Sequence, residues 1–167
     1  MLSFSKLWAN HPNVKREAAL LNKIMYPNQC AINLHAALVR SGANAKTFRG
    51  QLSWQKNRPK YAIRAQELAN WLASPFGRSS GVGMPLVQKF SGEEAFEKIK
   101  GKRGIIFFQN YYQNGYGPGN QGDHIDLWDG FRLTHIRSIP QIYLRFGPIA
   151  FGSDYEKSES VWFWKLP

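Results

Sequence analysis

The sequence predicts an α+β fold, and three observations carry that prediction. Helical periodicity with caps and stops occupies the chain up to Gly101. From Gly104 onward the pattern changes to continuous or alternating apolar runs with a hairpin signal. No repeat, low-complexity block or linker separates the two stretches, so helices are expected to pack on one antiparallel sheet.

The elements follow in order. Asn13 is placed to cap a helix running to Met25, with Val14, Ala18, Leu21 and Met25 on one face and Tyr26-Pro27 as its end. Asn28 is placed to cap a second helix, CAINLHAALVRSG, with the stripe Ala31, Leu34, Leu38 and Gly42 as its stop. Residues 46–61 read as loop, with Phe48, Trp54 and Tyr61 set among Lys46, Arg49, Lys56, Arg58 and Lys60. A third helix fits Arg64–Ala73 and stops at Ser74-Pro75, and Gly77–Gly83 reads as a surface loop. Ser91 and Glu94 form a capping box that opens a fourth helix ending at Gly101. Gly104–Gln109 (GIIFFQ) is a buried strand. Asn114–Gly122 is a glycine-rich loop with Tyr116 near its start, a candidate lid. His124–Gly130 (HIDLWDG) begins by alternating, and Asp129-Gly130 is a two-residue hairpin signal with Phe131–Arg137 as the return strand. Tyr143–Phe146 and Val161–Leu166 read as further strands.

Length and composition bound the function. A chain of 167 residues fits a single domain, 1–167, able to bury roughly two-thirds of its unfolded surface. With 43% hydrophobic and 14% aromatic residues it is not a disordered chain. One cysteine excludes a disulfide framework and a cysteine-rich zinc site. The first residues, MLSFSKLWANHP, lack the apolar core of a signal peptide, and no run approaches the roughly 20 apolar residues of a membrane span. A chain made in the cytoplasm without membrane insertion is therefore expected. The net charge is +11, and it is uneven: residues 1–60 hold ten Lys/Arg against one acid, Glu17. An anionic partner is implied, whether nucleic acid, membrane surface, polymer or acidic protein.

Cys30 falls at the first turn of the second helix, where the macrodipole favours a thiolate. A thiol nucleophile needs a base oriented by a third polar group. His35 sits five residues along the same helix, about 140° around, and points away. His124 and His135 lie on the hairpin. With Asp129-Gly130 as a two-residue loop, Trp128 faces Phe131 and His124 faces His135, with Cβ atoms roughly 5 Å apart. Asp126 shares that face. The competing use of His124, Asp126 and His135 is a metal site, but their spacing is not a recognised zinc pattern, and it leaves the placement of Cys30 unexplained. Trp128, on the His124 face, is either a substrate contact or core.

These residues resemble the papain-like, NlpC-type peptidoglycan peptidases, and among them the type VI secretion amidase effectors of family four. The resembling stretches are Asn28–Ile32 (NQCAI), Tyr61–Leu68 (YAIRAQEL) with Trp71-Leu72, Gly104–Phe108 (GIIFF), Gly122–Gly130 (GDHIDLWDG) and Trp162–Trp164 (WFW). The resemblance implies a papain-like fold and an antibacterial hydrolase. Such an effector is injected into the periplasm of another Gram-negative cell, where it cleaves the D-glutamyl–meso-diaminopimelate amide of peptidoglycan stem peptides. It implies the secretion machinery and a cognate immunity protein as partners, and no cofactor or metal. It further implies Cys30 as nucleophile and His124 as base. The third catalytic position falls on His135, where the closest pattern carries aspartate, and Asp126 is the alternative.

Oxyanion donors are expected from the Cys30 N–H, with Asn28 or Gln29 as side-chain candidates. The charge suits a carboxylate-bearing substrate, and an inhibitor plugging the cleft is expected to be acidic. Two other readings stand beside this one. The basic and aromatic residues of 46–61 would suit a nucleic-acid-binding module, although a solvated loop with its aromatics turned inward is the plainer reading. A different Cys-His acyl-transfer enzyme on the same scaffold is the second.

Overall fold

The computed structural model describes residues 2–79, 83–113, 121–135 and 155–167. They form two compact units, one running to Leu86 with Leu166–Pro167 added, the other Val87–Lys165.

The first unit is helical. It holds α1 (Phe4–Ala9), α2 (Cys30–Arg40), α3 (Ala65–Ala73) and α4 (Pro75–Arg78). Ser3 caps α1 by accepting from the Lys6 N–H at 3.3 Å, and the Phe4 N–H donates to the Pro167 carbonyl at 2.8 Å, joining the chain ends. The central helix is α2: every residue from Ala31 to Leu38 is buried, and α1 and α3 pack against it. Its apolar stripe is therefore wider than the sequence periodicity suggests. α3 and its stop at Ser74-Pro75 follow expectation. Beyond it the loop expected at Gly77–Gly83 begins instead as α4, capped by Ser74, whose hydroxyl accepts from Gly77 N–H at 3.2 Å.

Residues Asn13–Met25 do not form the expected helix. Arg16 adopts a left-handed φ of +56°. The Asn13 carboxamide oxygen accepts from Asn33 Nδ2 at 3.2 Å instead of capping. Asn22 Oδ1 accepts from the Ile24 and Met25 N–H groups at 2.7 and 3.3 Å, a local turn that competes with helix. Leu21 and Tyr26 are buried with Ile32, while Ile24 is 93% exposed, so no continuous apolar face forms.

The second unit holds β1 (Gln88–Phe90), α5 (Gly92–Ile99), β2 (Gly104–Gln113), β3 (Gln121–Trp128) and β4 (Ser160–Lys165). The sheet order is β1-β4-β2-β3, with every neighbour antiparallel. Gly104–Phe108 is buried throughout, which explains the continuous apolar run. One face of the sheet packs Ile106, Phe108, Val161 and Phe163 against Ala95 and Ile99 of α5, with Trp128, Leu133 and Tyr155. At the start of α5 the Ser91 hydroxyl donates to Glu94 Oε2 at 3.1 Å rather than capping the backbone.

The expected two-residue hairpin is corrected. Trp128 pairs with Leu133, not with Phe131. Asp129 Oδ1 accepts from the N–H groups of Phe131 and Arg132 at 2.9 and 2.8 Å, which adds two residues to the turn. The register therefore moves by two. The strand expected at Tyr143–Phe146 and the end of Phe131–Arg137 lie outside the described residues.

Candidate active site

Cys30 is the first residue of α2 and is half-buried. The helix is capped by Gln29 and not by Asn28, which is exposed, and no side-chain hydrogen bond closes this end. The Gln29 amide Nε2 instead donates to the Tyr26 carbonyl at 2.7 Å and more weakly to Leu21 at 3.5 Å. Its donors are thus committed to the backbone turn that leads into the helix.

His35 lies deeper in the same helix and is buried. Its Nδ1 accepts from the Ala62 N–H at 3.0 Å, and its ring lies 5.7 Å from Phe48 and edge-on to Tyr61 at 6.1 Å. Burial pushes its pKa down to about 4. His35 is a core histidine, as its distance around the helix from Cys30 suggests.

In the second unit, β3 carries His124 and Asp126 on one face. The His124 ring sits in an aromatic collar, stacked on Phe108 at 6.3 Å and tilted against Tyr111 at 5.9 Å and Tyr155 at 6.0 Å. Its Nε2 is 3.7 Å from Asp126 Oδ2. Asp126 is itself 3% exposed. The Thr134 hydroxyl donates to its carboxylate, lying 2.7 Å from Oδ1 and 2.9 Å from Oδ2, and the Leu127 N–H donates to Oδ1 at 2.8 Å. A buried carboxylate so satisfied holds its position beside the His124 ring.

His135 is exposed. The two-residue change of register takes it away from the place opposite His124, and Thr134 occupies the ground next to Asp126 instead. Sequence reasoning missed Thr134 because a lone threonine carries no spacing signal. It also missed a bulge in β2 between Phe108 and Tyr112, where Asn110 adopts a φ of +53° and its N–H donates to Asp123 Oδ1 at 3.0 Å. Burial, the largest influence, raises the Asp123 pKa. That bulge fixes the strand edge next to His124. Trp128 is 1% exposed and donates from Nε1 to the Ile99 carbonyl at 3.2 Å, so it packs in the core. Tyr116 lies outside the described residues. Among the described residues no three His, Cys, Asp or Glu side chains are arranged to hold a metal ion, and no helix is long and apolar enough to cross a membrane.

A family model for the type VI secretion system (T6SS) amidase effector protein 4, Tae4, matches residues 26–164. The chain belongs to the Tae4 family. Tae4 effectors are amidases, so the chain is a hydrolase of the type VI secretion system. Solved Tae4 structures share its fold. Tae4 from Salmonella typhimurium, in complex with the immunity protein Tai4 from Enterobacter cloacae, is 18% identical, with all of both chains covered and a TM-score of 0.61. Tae4 from Enterobacter cloacae is 17% identical over 100% of this chain and 98% of its own, with a TM-score of 0.60. The Tae4–Tai4 complex of Salmonella typhimurium gives 19% identity over 100% and 99%, with a TM-score of 0.57. No curated protein matches the sequence. The fold is therefore the α+β, papain-like one of the Tae4 effectors.

Proposed function

We propose that this Tae4-family amidase hydrolyses the D-glutamyl–meso-diaminopimelate amide of peptidoglycan stem peptides by cysteine catalysis. Residues 1–167 act as one amidase domain in this reading. The Cys30 thiolate attacks the amide carbonyl, and the Cys30 N–H at the start of α2 is the oxyanion donor. His124 gives a proton to the leaving amine of diaminopimelate, then takes one from the water that releases the acyl-enzyme. Asp126, rather than His135, orients His124 and stabilises its imidazolium form. The observation that carries this is the buried Asp126 carboxylate, bonded to Thr134 and Leu127 and 3.7 Å from His124 Nε2. No cofactor is required. Because the solved Salmonella typhimurium relative is held by Tai4, a cognate immunity protein is proposed here too, acidic to match a chain of net charge +11. Delivery is by the secretion machinery into the periplasm of a target Gram-negative cell.

Digestion of purified muropeptides tests the chemistry. Cys30→Ala is expected to abolish release of free diaminopimelate amines, and a chelator is expected to leave wild-type activity intact. Either opposite result defeats the cysteine mechanism. Asp126→Ala is expected to lower kcat about a hundredfold or more with folding retained, and His135→Ala to lower it much less. The reverse ranking restores His135 as the third member.

A further inference from the structure

The basic and aromatic run that the hydrolytic chemistry leaves unused folds as a hairpin. Leu52 bridges Ala62, the Ser53 N–H donates to the Tyr61 carbonyl at 2.8 Å, and the Tyr61 N–H donates to Ser53 Oγ at 3.0 Å. Tyr26 anchors it, beside the Ala62 N–H bond to His35 and the Asn22 N–H bond to Gln55 Oε1. The Tyr26 phenol oxygen accepts from the Trp54 and Gln55 N–H groups at 2.8 and 3.0 Å. The Trp54 ring lies against the Tyr26 ring with centroids 4.7 Å apart, yet Trp54 stays 54% exposed. Through its carbonyl Tyr26 also receives the Gln29 amide, so the hairpin is fastened to the residue that precedes Cys30. At the tip, Lys56, Arg58 and Lys60 are exposed, and none is in an ion pair among the described residues. No acid occurs between Glu17 and Glu67. An aromatic half out of the core and three cations without acids do not stabilise this fold in any ordinary way. They form a rigid, amphipathic and positively charged platform.

We propose that this hairpin docks the polymeric cell wall, resting on the peptidoglycan reading above. Trp54 stacks on a sugar ring of the glycan strand, while Lys56, Arg58 and Lys60 bind carboxylates of neighbouring stem peptides. A polymer is favoured over a lipid surface or nucleic acid because the platform is tied to the nucleophile's own segment, so its ligand belongs with the chain being cut. The platform is held in place before binding, which reduces the ordering cost of docking.

The test is co-sedimentation of the full chain carrying Cys30→Ala with purified Gram-negative sacculi. Binding is expected to weaken as salt rises. Trp54→Ala, and separately the triple exchange Lys56→Gln, Arg58→Gln and Lys60→Gln, are each expected to raise the apparent Kd about tenfold or more. Trp54→Tyr is expected to restore most of the binding, which a purely structural Trp54 would not predict. If Trp54→Ala is misfolded by circular dichroism, the triple exchange at exposed positions decides. Unchanged binding in the triple exchange overturns the proposal, as does a preference for anionic phospholipid vesicles or single-stranded DNA over sacculi. Muropeptide cleavage by the wild type is scored separately. Its absence alongside Trp54-dependent sacculus binding defeats the hydrolytic reading and leaves the docking platform standing.

Discussion

His35 supplies a pH dependence that a single exchange isolates. Its Nδ1 accepts from the Ala62 N–H, so the neutral ring carries its proton on Nε2, a buried atom without a hydrogen-bond partner among the described residues. Protonating Nδ1 sets a donor against a donor and places charge between Phe48 and Tyr61. Burial lowers the folded pKa from 6.5 to about 4. Between those values the unfolded chain binds a proton that the folded chain refuses. Stability is therefore complete above pH 6.5 and declines as pH falls towards 4. Linkage gives a loss of about 2 kcal/mol from His35 alone between pH 7 and pH 5. His35→Asn keeps an acceptor near the Nδ1 position and removes the titration. The variant is less stable at both pH values, because the ring contacts are lost, but that cost cancels in the comparison. Urea unfolding followed by tryptophan fluorescence at the two pH values is the assay. Wild type is expected to lose about 2 kcal/mol more than the variant. Parallel losses in the two proteins would refute the reasoning.

Other perturbations follow from local contacts. Thr134→Val leaves the buried Asp126 carboxylate short of a donor and is expected to cost about 1–3 kcal/mol in denaturant unfolding, with Thr134→Ser close to wild type. Gly104→Ala is expected to lower the thermal midpoint through a loss of about 1–3 kcal/mol or more, since its Cβ would lie 2.1 Å from the Trp164 carbonyl oxygen and part β2 from β4. Glu17→Gln breaks a two-pronged pair with Arg40 at 3.0 Å, but both side chains are about 30% exposed, so a cost under about 1 kcal/mol is expected by the same assay.

The elements that were legible in the sequence are those whose signal is local. α3 announces itself by periodicity and a Ser-Pro stop, and β2 by an apolar run buried on both faces. Cys30 reads as a helix start because the second helix has a sharp beginning. Asn13–Met25 misleads because its apolar spacing is real, while its polar side chains are claimed by contacts from elsewhere: Asn33 takes Asn13, and Arg40 takes Glu17. The surroundings of Asp126 are obscured by one side chain. Asp129-Gly130 spells a two-residue turn, but Asp129 accepts two further N–H groups and lengthens it, which moves Thr134 beside Asp126 and leaves His135 exposed. No spacing rule contains that choice, because it depends on a hydrogen bond closing only after the chain has turned.

The sequence contains one sulfhydryl, and α2 begins with it. Every thiol-directed reagent that enters the folded protein therefore reports on one atom. A chromogenic disulfide titrates the molar concentration of reduced Cys30 directly, and the ratio to total protein measures what fraction of a preparation is unoxidised. A fluorophore placed there marks the start of the helix without any prior removal of competing cysteines. The same economy makes the thiol brittle under oxidant: once Cys30 reaches the sulfenic acid, the sequence offers no second thiol to trap it as an intramolecular disulfide before it passes to the irreversible sulfinic acid.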